Sequence, residues 1–232
     1  VFKLPLKFSL LFLVLFFVQL LGELNPSSWF SMYTESLTAT ALTLLFAGTT
    51  RLRGRFHRRI LFGFLTLIVG RVCALFMAPG LETFLSGMIC CAIAYIFFVS
   101  AFYLDFRSAP ELDKKGARFS ILVALIFSLL IYLYLRPFLG VYRIPILIYT
   151  FLMSLMVMMA SFRRLRVNSQ SFVLVLLGIG VWIVSDFLFA VDKFVSPFEA
   201  AHYLVGGTRV LALYLIVAGA ATRVLQPSVS PF

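Results

Sequence analysis

Four ionisable side chains stand inside otherwise apolar stretches of this 232-residue sequence: Glu35, Arg71, Asp186 and Arg209. Two are carboxylates, which can give a proton to a bound molecule or take one from water. Two are arginines, whose planar guanidinium fork fits phosphate or carboxylate. A charge near the middle of a bilayer costs about 2.5–3.5 kcal/mol on insertion scales, so each marks a candidate functional site. Asp186 has the most informative surroundings, in the run Gly178-Ile-Gly-Val-Trp-Ile-Val-Ser-Asp-Phe-Leu-Phe-Ala-Val-Asp-Lys-Phe194. Small residues flank three of the four: Gly70 before Arg71, Ser185 before Asp186, and Gly206-Gly207-Thr208 before Arg209. Such residues let helices approach closely or leave room for a ligand.

The elements that must carry these charges are membrane helices. The chain is 62% hydrophobic and 12% charged, with mean hydropathy +1.05, against about 45–50% and about 25% in soluble domains. Eight stretches of near-spanning length follow, at roughly 6–22, 29–48, 60–78, 83–104, 118–135, 144–161, 171–195 and 202–222. Lys3 and Lys7 precede the first, which lacks a small-x-small cleavage site and reads as a true span rather than a signal peptide. The second carries Ser31, Thr34, Glu35, Ser36, Thr38 and Thr40, a polar row that belongs in the bundle interior. The predicted fold is an all-α membrane bundle of eight helices in a single domain, residues 1–232.

The loops alternate in charge. Lys3, Lys7, Arg51, Arg53, Arg55, Arg58, Arg59, Arg107, Lys114, Lys115, Arg118, Arg163, Arg164, Arg166 and Arg223 fall on one side, and only Arg136, Arg143 and Lys193 on the other. The positive-inside rule makes the first side cytoplasmic, with both termini there, and in a bacterium the membrane would be the inner one. Orientation and lipid headgroups account for the net charge of +11, and no soluble basic domain is present to bind nucleic acid. Trp29, Phe30, Tyr33, Phe138, Tyr142, Phe194, Phe198 and Tyr203 cluster near outer ends and read as an interfacial belt.

The segment from Asp105 to Gly116, with Pro110, is the one long loop and divides the chain into two four-span halves. Ile68–Phe76 and Ile183–Val191 look alike; each follows a basic loop and precedes a Pro-containing one, with Pro79 and Pro197. Four spans per half preserve orientation, so the repeat would be parallel, with Arg71 and Asp186 equivalent. Counting inward at about 1.5 Å per residue puts all four charges about 9–12 Å below the outer interface. They form one layer of zero net charge, built by spans two, three, seven and eight. Mutual pairing is then the economical arrangement.

Other constellations carry less. Cys73, Cys90 and Cys91 lack metal or disulfide spacing, and His57 and His202 fall at opposite faces. No metal site and no cofactor is predicted. Ser185 has no histidine near it and no strand-to-helix elbow. Lys193 sits at an outer end beside Asp192, where snorkelling or a surface pair explains it. Gly178-x-Gly180 eases helix packing, and Met153, Met156, Met158 and Met159 fill the bundle. A secondary transporter would suit buried charges and a repeat, but no span breaks near its middle.

The Gly178–Phe194 run resembles the signature of the lysoplasmalogenase-like (YhhN) membrane family, in which a Ser-Asp pair precedes Leu-Leu-Ala-Leu-Asn-Lys-Phe. Phe84-x-x-Gly87, Tyr95 and Phe98 extend the likeness into span four. The resemblance implies an eight-helix enzyme that hydrolyses the vinyl ether of lysoplasmalogens to a fatty aldehyde and a glycerophospho-headgroup. It implies a lipid or lysophospholipid partner; taken with the layer of four charges, it makes Asp186 and Glu35 the candidate catalytic groups and Arg71, Arg209, Ser185 and Tyr95 the candidate substrate-binding groups. Among the presumed active groups, Ser185-Asp186 alone matches residue by residue. The family's Gly-Asp in span three is here Gly70-Arg71, and its Lys-Pro in span two falls at Glu35-Ser36. Its span-four His falls at Ala92, and its span-eight Tyr and Gln at Val210 and Leu213. This is a charge swap in which Glu35 and Arg71 would pair with reversed signs. Two nearby arginines favour an ionised Asp186, suited to act as a base or an orienting group and poor as a proton donor. The alternative is a catalytically silent homologue that binds a lipid headgroup or an anion, or serves a membrane partner.

Overall fold

The computed structural model describes residues 6–23, 28–77, 80–108 and 114–226. Eight α-helices appear in them: α1 Leu6–Glu23, α2 Ser28–Thr50, α3 Arg55–Phe76, α4 Leu81–Ser108, α5 Lys114–Leu135, α6 Arg143–Ser161, α7 Ser169–Ala190 and α8 Ala201–Ala221. Two short 3₁₀ turns join α5 to α6, and a π-turn, Val191–Val195, extends α7. Lys3, Pro79 and Pro110 lie outside the described residues, as do the side chains of Lys7, Trp29, Phe30, Ser31, Lys114 and Lys115.

Six helical segments are long and apolar enough to cross a membrane: Arg55–Phe76, Glu82–Ser108, Arg118–Phe138, Gly140–Ser161, Ser169–Val195 and Ala201–Ala221. In α1 the described side chains give a shorter apolar stretch, Phe12–Gly22. α2 falls short because its polar row lowers its hydropathy. Thr34, Ser36 and Thr38 are buried, while Tyr33, Leu37 and Leu44 face outward. Thr40 and Thr43 return their hydroxyls to the carbonyls of Ser36 and Ala39, at 2.8 and 2.7 Å. The outward surface is apolar throughout: α5 alone exposes Phe119, Leu122, Val123, Leu125, Ile126, Leu129 and Leu130. Apolar surface this extensive needs lipid rather than water around it. The chain is an integral membrane protein.

Helix α8 is the hub. It packs against α7 along its length and also meets α1, α2 and α3. Helix α5 is peripheral and rests mainly on α6. Close approach of α7 and α8 depends on two glycines. A Cβ on Gly178 would stand 2.8 Å from Ile216 Cγ1, and one on Gly219 would stand 2.9 Å from the Val175 backbone nitrogen. Gly180 meets nothing within 4 Å, so only the first glycine of the Gly-x-Gly pair serves packing. Gly70 admits Cys90 in the same way, a Cβ there lying 2.7 Å from that of Cys90.

The basic end of the bundle is held by ions that composition had assigned to orientation and headgroups. Asp105 is fully buried and does not begin a loop; α4 runs on to Ser108 because Asp105 is paired on two sides. Its Oδ2 accepts from Arg163 Nε at 2.8 Å, and its Oδ1 accepts from Arg223 Nε at 2.7 Å. Arg163 Nη2 also donates to Ser171 Oγ at 2.9 Å, and Ser171 donates to the Gly219 carbonyl at 2.6 Å. Arg163 stacks over Phe102 and Arg223 over Phe56, at 5.2 and 4.2 Å from the ring centroids. Burial pulls the Arg163 guanidinium below its ordinary pKa, and the Asp105 carboxylate opposes that shift. The chain after α8 is pinned as well: Asn168 N–H donates to the Val224 carbonyl, and Gln226 N–H to that of Arg166.

Candidate functional site

The four intramembrane charges converge. Arg71 Nη2 lies 2.8 Å from Glu35 Oε1, the reversed-sign pair expected from the sequence. Arg209 Nη1 reaches the same oxygen at 3.2 Å, so Glu35 is shared by α3 and α8. Arg209 Nη2 stands 3.9 Å from Asp186 Oδ1. The chain of charges thus runs Arg71, Glu35, Arg209, Asp186. The arginine contact to Asp186 is longer than a hydrogen bond.

The close partners of Asp186 are two tyrosines instead. Tyr95 from α4 donates its hydroxyl to Asp186 Oδ2 at 2.7 Å, and Tyr149 from α6 donates to the same oxygen at 2.6 Å. The two hydroxyl oxygens are 2.7 Å apart. Each phenol has one proton, so with both given to Asp186 the carboxylate is the acceptor that holds α4, α6 and α7 together. Tyr95 is fully buried, with the edge of Trp182 against it. Tyr149 was missed from the sequence, where a lone tyrosine in span six carries no motif.

A cavity of about 350 Å³ opens beside this cluster, among α3, α4, α5, α6 and α7. Arg71, Tyr149, Asp186 and Arg209 form its polar part, and Leu67, Met88, Leu135, Ile146 and Met153 are among its apolar walls. At the end opposite the basic loops it is bounded by Phe84, Phe194 and Lys193. Phe84 meets Tyr142 and Phe194 edge-on, with centroids 5.1 and 5.7 Å apart. Phe194, expected in an interfacial belt, therefore lines the cavity, and Tyr142 packs behind it on Phe84 and Phe194. Tyr33, Phe138 and Tyr203 do face outward.

The other sequence candidates are placed differently. Ser185 is fully buried and donates its hydroxyl to the Val205 carbonyl at 3.0 Å, fastening α7 to α8 one residue before Asp186. Neither Ser185 nor Glu35 lines the large cavity. Glu35 borders a separate space of about 10 Å³ with Trp182, Leu67, Arg71 and Arg209. Lys193 does not pair with Asp192, whose Oδ1 instead accepts the Phe198 N–H at 3.2 Å. Its ammonium sits 4.2 Å from the Phe84 ring centroid.

Together these features define a polytopic helical membrane protein with an amphipathic cavity walled by its own helices and a buried ionic cluster at the cavity's polar side. The YhhN family matches residues 30–220, most of the chain, and the protein belongs to that family. Comparison with curated proteins and with solved structures gives no match.

Proposed function

We propose that the cavity receives a single-chain glycerophospholipid of the lysoplasmalogen class, its free glycerol hydroxyl held at Asp186 and its ether linkage beside it. The observation that carries this reading is the placement of Asp186. Among the described residues it is the one carboxylate lining a mainly apolar cavity, with two phenols on one oxygen and Arg209 near the other. An alkyl chain suits the Leu67–Met88–Met153 walls, and a polar group suits the Oδ1 side. Arg71 and Arg209 border both spaces and are the substrate-binding arginines; Glu35, on the far side of them, holds them in place.

Vinyl-ether hydrolysis is the reaction that family membership suggests. A proton must reach the vinyl carbon, and a water must add to the carbon bearing oxygen; the resulting hemiacetal then releases aldehyde. Asp186 fits the water-activating half. The donor half is weak in this chain. Arg71 stands where the family has an acid, and the hydroxyl beside Asp186 that lines the cavity is the Tyr149 phenol, a far weaker acid than a carboxylic acid. That favours a second reading, a member that binds the lipid and turns it over slowly or not at all.

The test is aldehyde release from lysoplasmalogen by the purified chain, alongside binding of the same lipid. Binding by the parent and its loss in Asp186→Leu are expected. Arg71→Asp, which restores a second carboxylate at the cavity, is expected to release aldehyde at least about tenfold faster than the parent, a change of about 1.4 kcal/mol in barrier. Absence of lipid binding by the parent would sink the proposal. Fast release by the parent, abolished in Asp186→Asn, would establish the hydrolase and discard the silent reading.

We further propose that all eight helices cross the bilayer, with both termini on the side of the basic loops. Support comes from the lengthwise packing of α3 on α4 and of α7 on α8, corresponding pairs in the two halves of a parallel repeat.

A further inference from the structure

Among the described residues, Lys193 is the cavity-lining cation that no carboxylate contacts. Glu35 and Asp186 contact Arg71 and Arg209, and the Lys193 side chain is exposed at the edge of the cavity. Both acids are engaged with the arginines or the tyrosines, Asp192 is used by a backbone N–H, and no described carboxylate pairs with Lys193. Its ammonium is held over Phe84 at 4.2 Å and lies 5.9 Å from Phe189. Phe189 in turn has Arg209 at 5.6 Å, so one ring stands between the rim cation and the deep one.

Lys193 follows Asp186 by seven residues, four in α7 and three in the π-turn that extends it, a rise of about 10 Å along the axis. Both line the same cavity, and Phe189 and Ala190 line the wall between them. A ligand spanning the two must carry an anion at one end and a hydrogen-bonding group one short linker away. The Asp186 carboxylate accepts, so the group it can hold is the free sn-2 hydroxyl; from the phosphorus of a glycerophosphate to that oxygen is four bonds, about 5 Å extended, and a hydrogen bond of about 3 Å at each end gives a reach of about 11 Å.

We propose that Lys193, seated over Phe84 at the cavity edge, is a phosphate-binding residue that selects amphiphiles bearing a phosphate about 5 Å from the hydroxyl held at Asp186. The proposal rests on the lipid-cavity reading and adds what sets its headgroup preference. At Asp186 the Oδ2 side is filled by two phenols and Oδ1 is left to accept from a ligand, whereas Lys193 offers three donors and a positive charge at the point where a headgroup would leave the membrane core.

The experiment compares two probes with the same chain, 1-oleoyl lysophosphatidate and 1-oleoylglycerol, binding to full-length protein in a non-phospholipid detergent by native mass spectrometry. The parent is expected to hold lysophosphatidate about tenfold more tightly, a difference of about 1.4 kcal/mol. Lys193→Gln should remove that preference and leave 1-oleoylglycerol binding unchanged, while Lys193→Arg should keep it. Equal affinity of the parent for both lipids would overturn the Lys193 assignment and leave the lipid cavity standing. So would loss of both lipids in Lys193→Gln. Failure of both lipids to bind the parent would overturn the cavity reading itself. Inorganic phosphate is the third arm; if it displaces lysophosphatidate at equal concentration, the site is one for a free anion and the selection of an amphiphile falls.

Discussion

Glu35 and Asp186 are both carboxylates inside apolar helices, and their neighbours give them different work. Glu35 Oε1 receives two guanidiniums, at 2.8 and 3.2 Å; Asp186 Oδ2 receives two phenols, and its Oδ1 keeps only a 3.9 Å arginine contact. Removing one partner of a buried ion pair leaves an uncompensated charge and costs about 3–5 kcal/mol. Glu35→Ala orphans both Arg71 and Arg209, and Arg209 is almost fully enclosed. We therefore expect Glu35→Ala to lower the thermal unfolding midpoint in detergent more than Arg71→Ala, because the Arg71 side chain is 32% exposed and reaches the cavity. Glu35→Ala/Arg71→Ala should recover part of the loss. Full additivity of the two single changes would show that the pair is not coupled. The Glu35–Arg71 pair was legible in the sequence, since two opposite charges at one depth in apolar spans have few other partners. Tyr149 was not, because a tyrosine in a hydrophobic helix looks the same whether its hydroxyl meets a carboxylate or the interface.

Helix α4 shows how an element's length is set by what its end meets. Hydropathy ends the span near residue 104, yet the helix continues to Ser108, and Asp105 there joins α4 to the α6–α7 connection and to the chain after α8. Asp105→Ala would leave Arg163, which is fully buried, without its anion. A loss of about 3–5 kcal/mol is expected, seen as aggregation or a collapsed melting midpoint. Arg223→Ala keeps the Arg163–Asp105 pair and should cost less. If Asp105→Ala melted like the parent, the ionic knot would not be what holds this end together. The sequence placed these arginines in loops because it carries no sign of which basic residue turns inward. An acid at the very end of an apolar span, Asp105, was the available hint.

At the scale of the whole molecule, charge asymmetry and cavity position make a joint prediction. The basic loops lie at one end of the bundle, and Phe84, Phe194 and Lys193 bound the cavity at the other. If the positive-inside rule holds, that end of the cavity lies toward the outer leaflet. Reporter fusions made after Arg53 and after Leu139 test this. A cytoplasm-dependent fluorescent reporter should light only at Arg53, and a phosphatase that needs the outer compartment should work only at Leu139. The reverse pattern would turn the molecule over.

Composition alone determined that the chain belongs in a membrane, because 62% hydrophobic residues cannot be enclosed by so few polar ones. The spacing of apolar runs located every helix, since lipid forces the backbone to satisfy its own hydrogen bonds. The Ser185-Asp186 run indicated the family, and the depth of four charges indicated that they meet. Only the tertiary structure decided what each charge touches. Side-chain contacts across α4, α6, α7 and α8 depend on helix rotation and on close approach at glycines such as Gly178 and Gly219, neither of which a one-dimensional pattern encodes. That rotation brought Tyr95 and Tyr149 to Asp186, set Glu35 behind its arginines, and aimed Lys193 at the cavity instead of at Asp192.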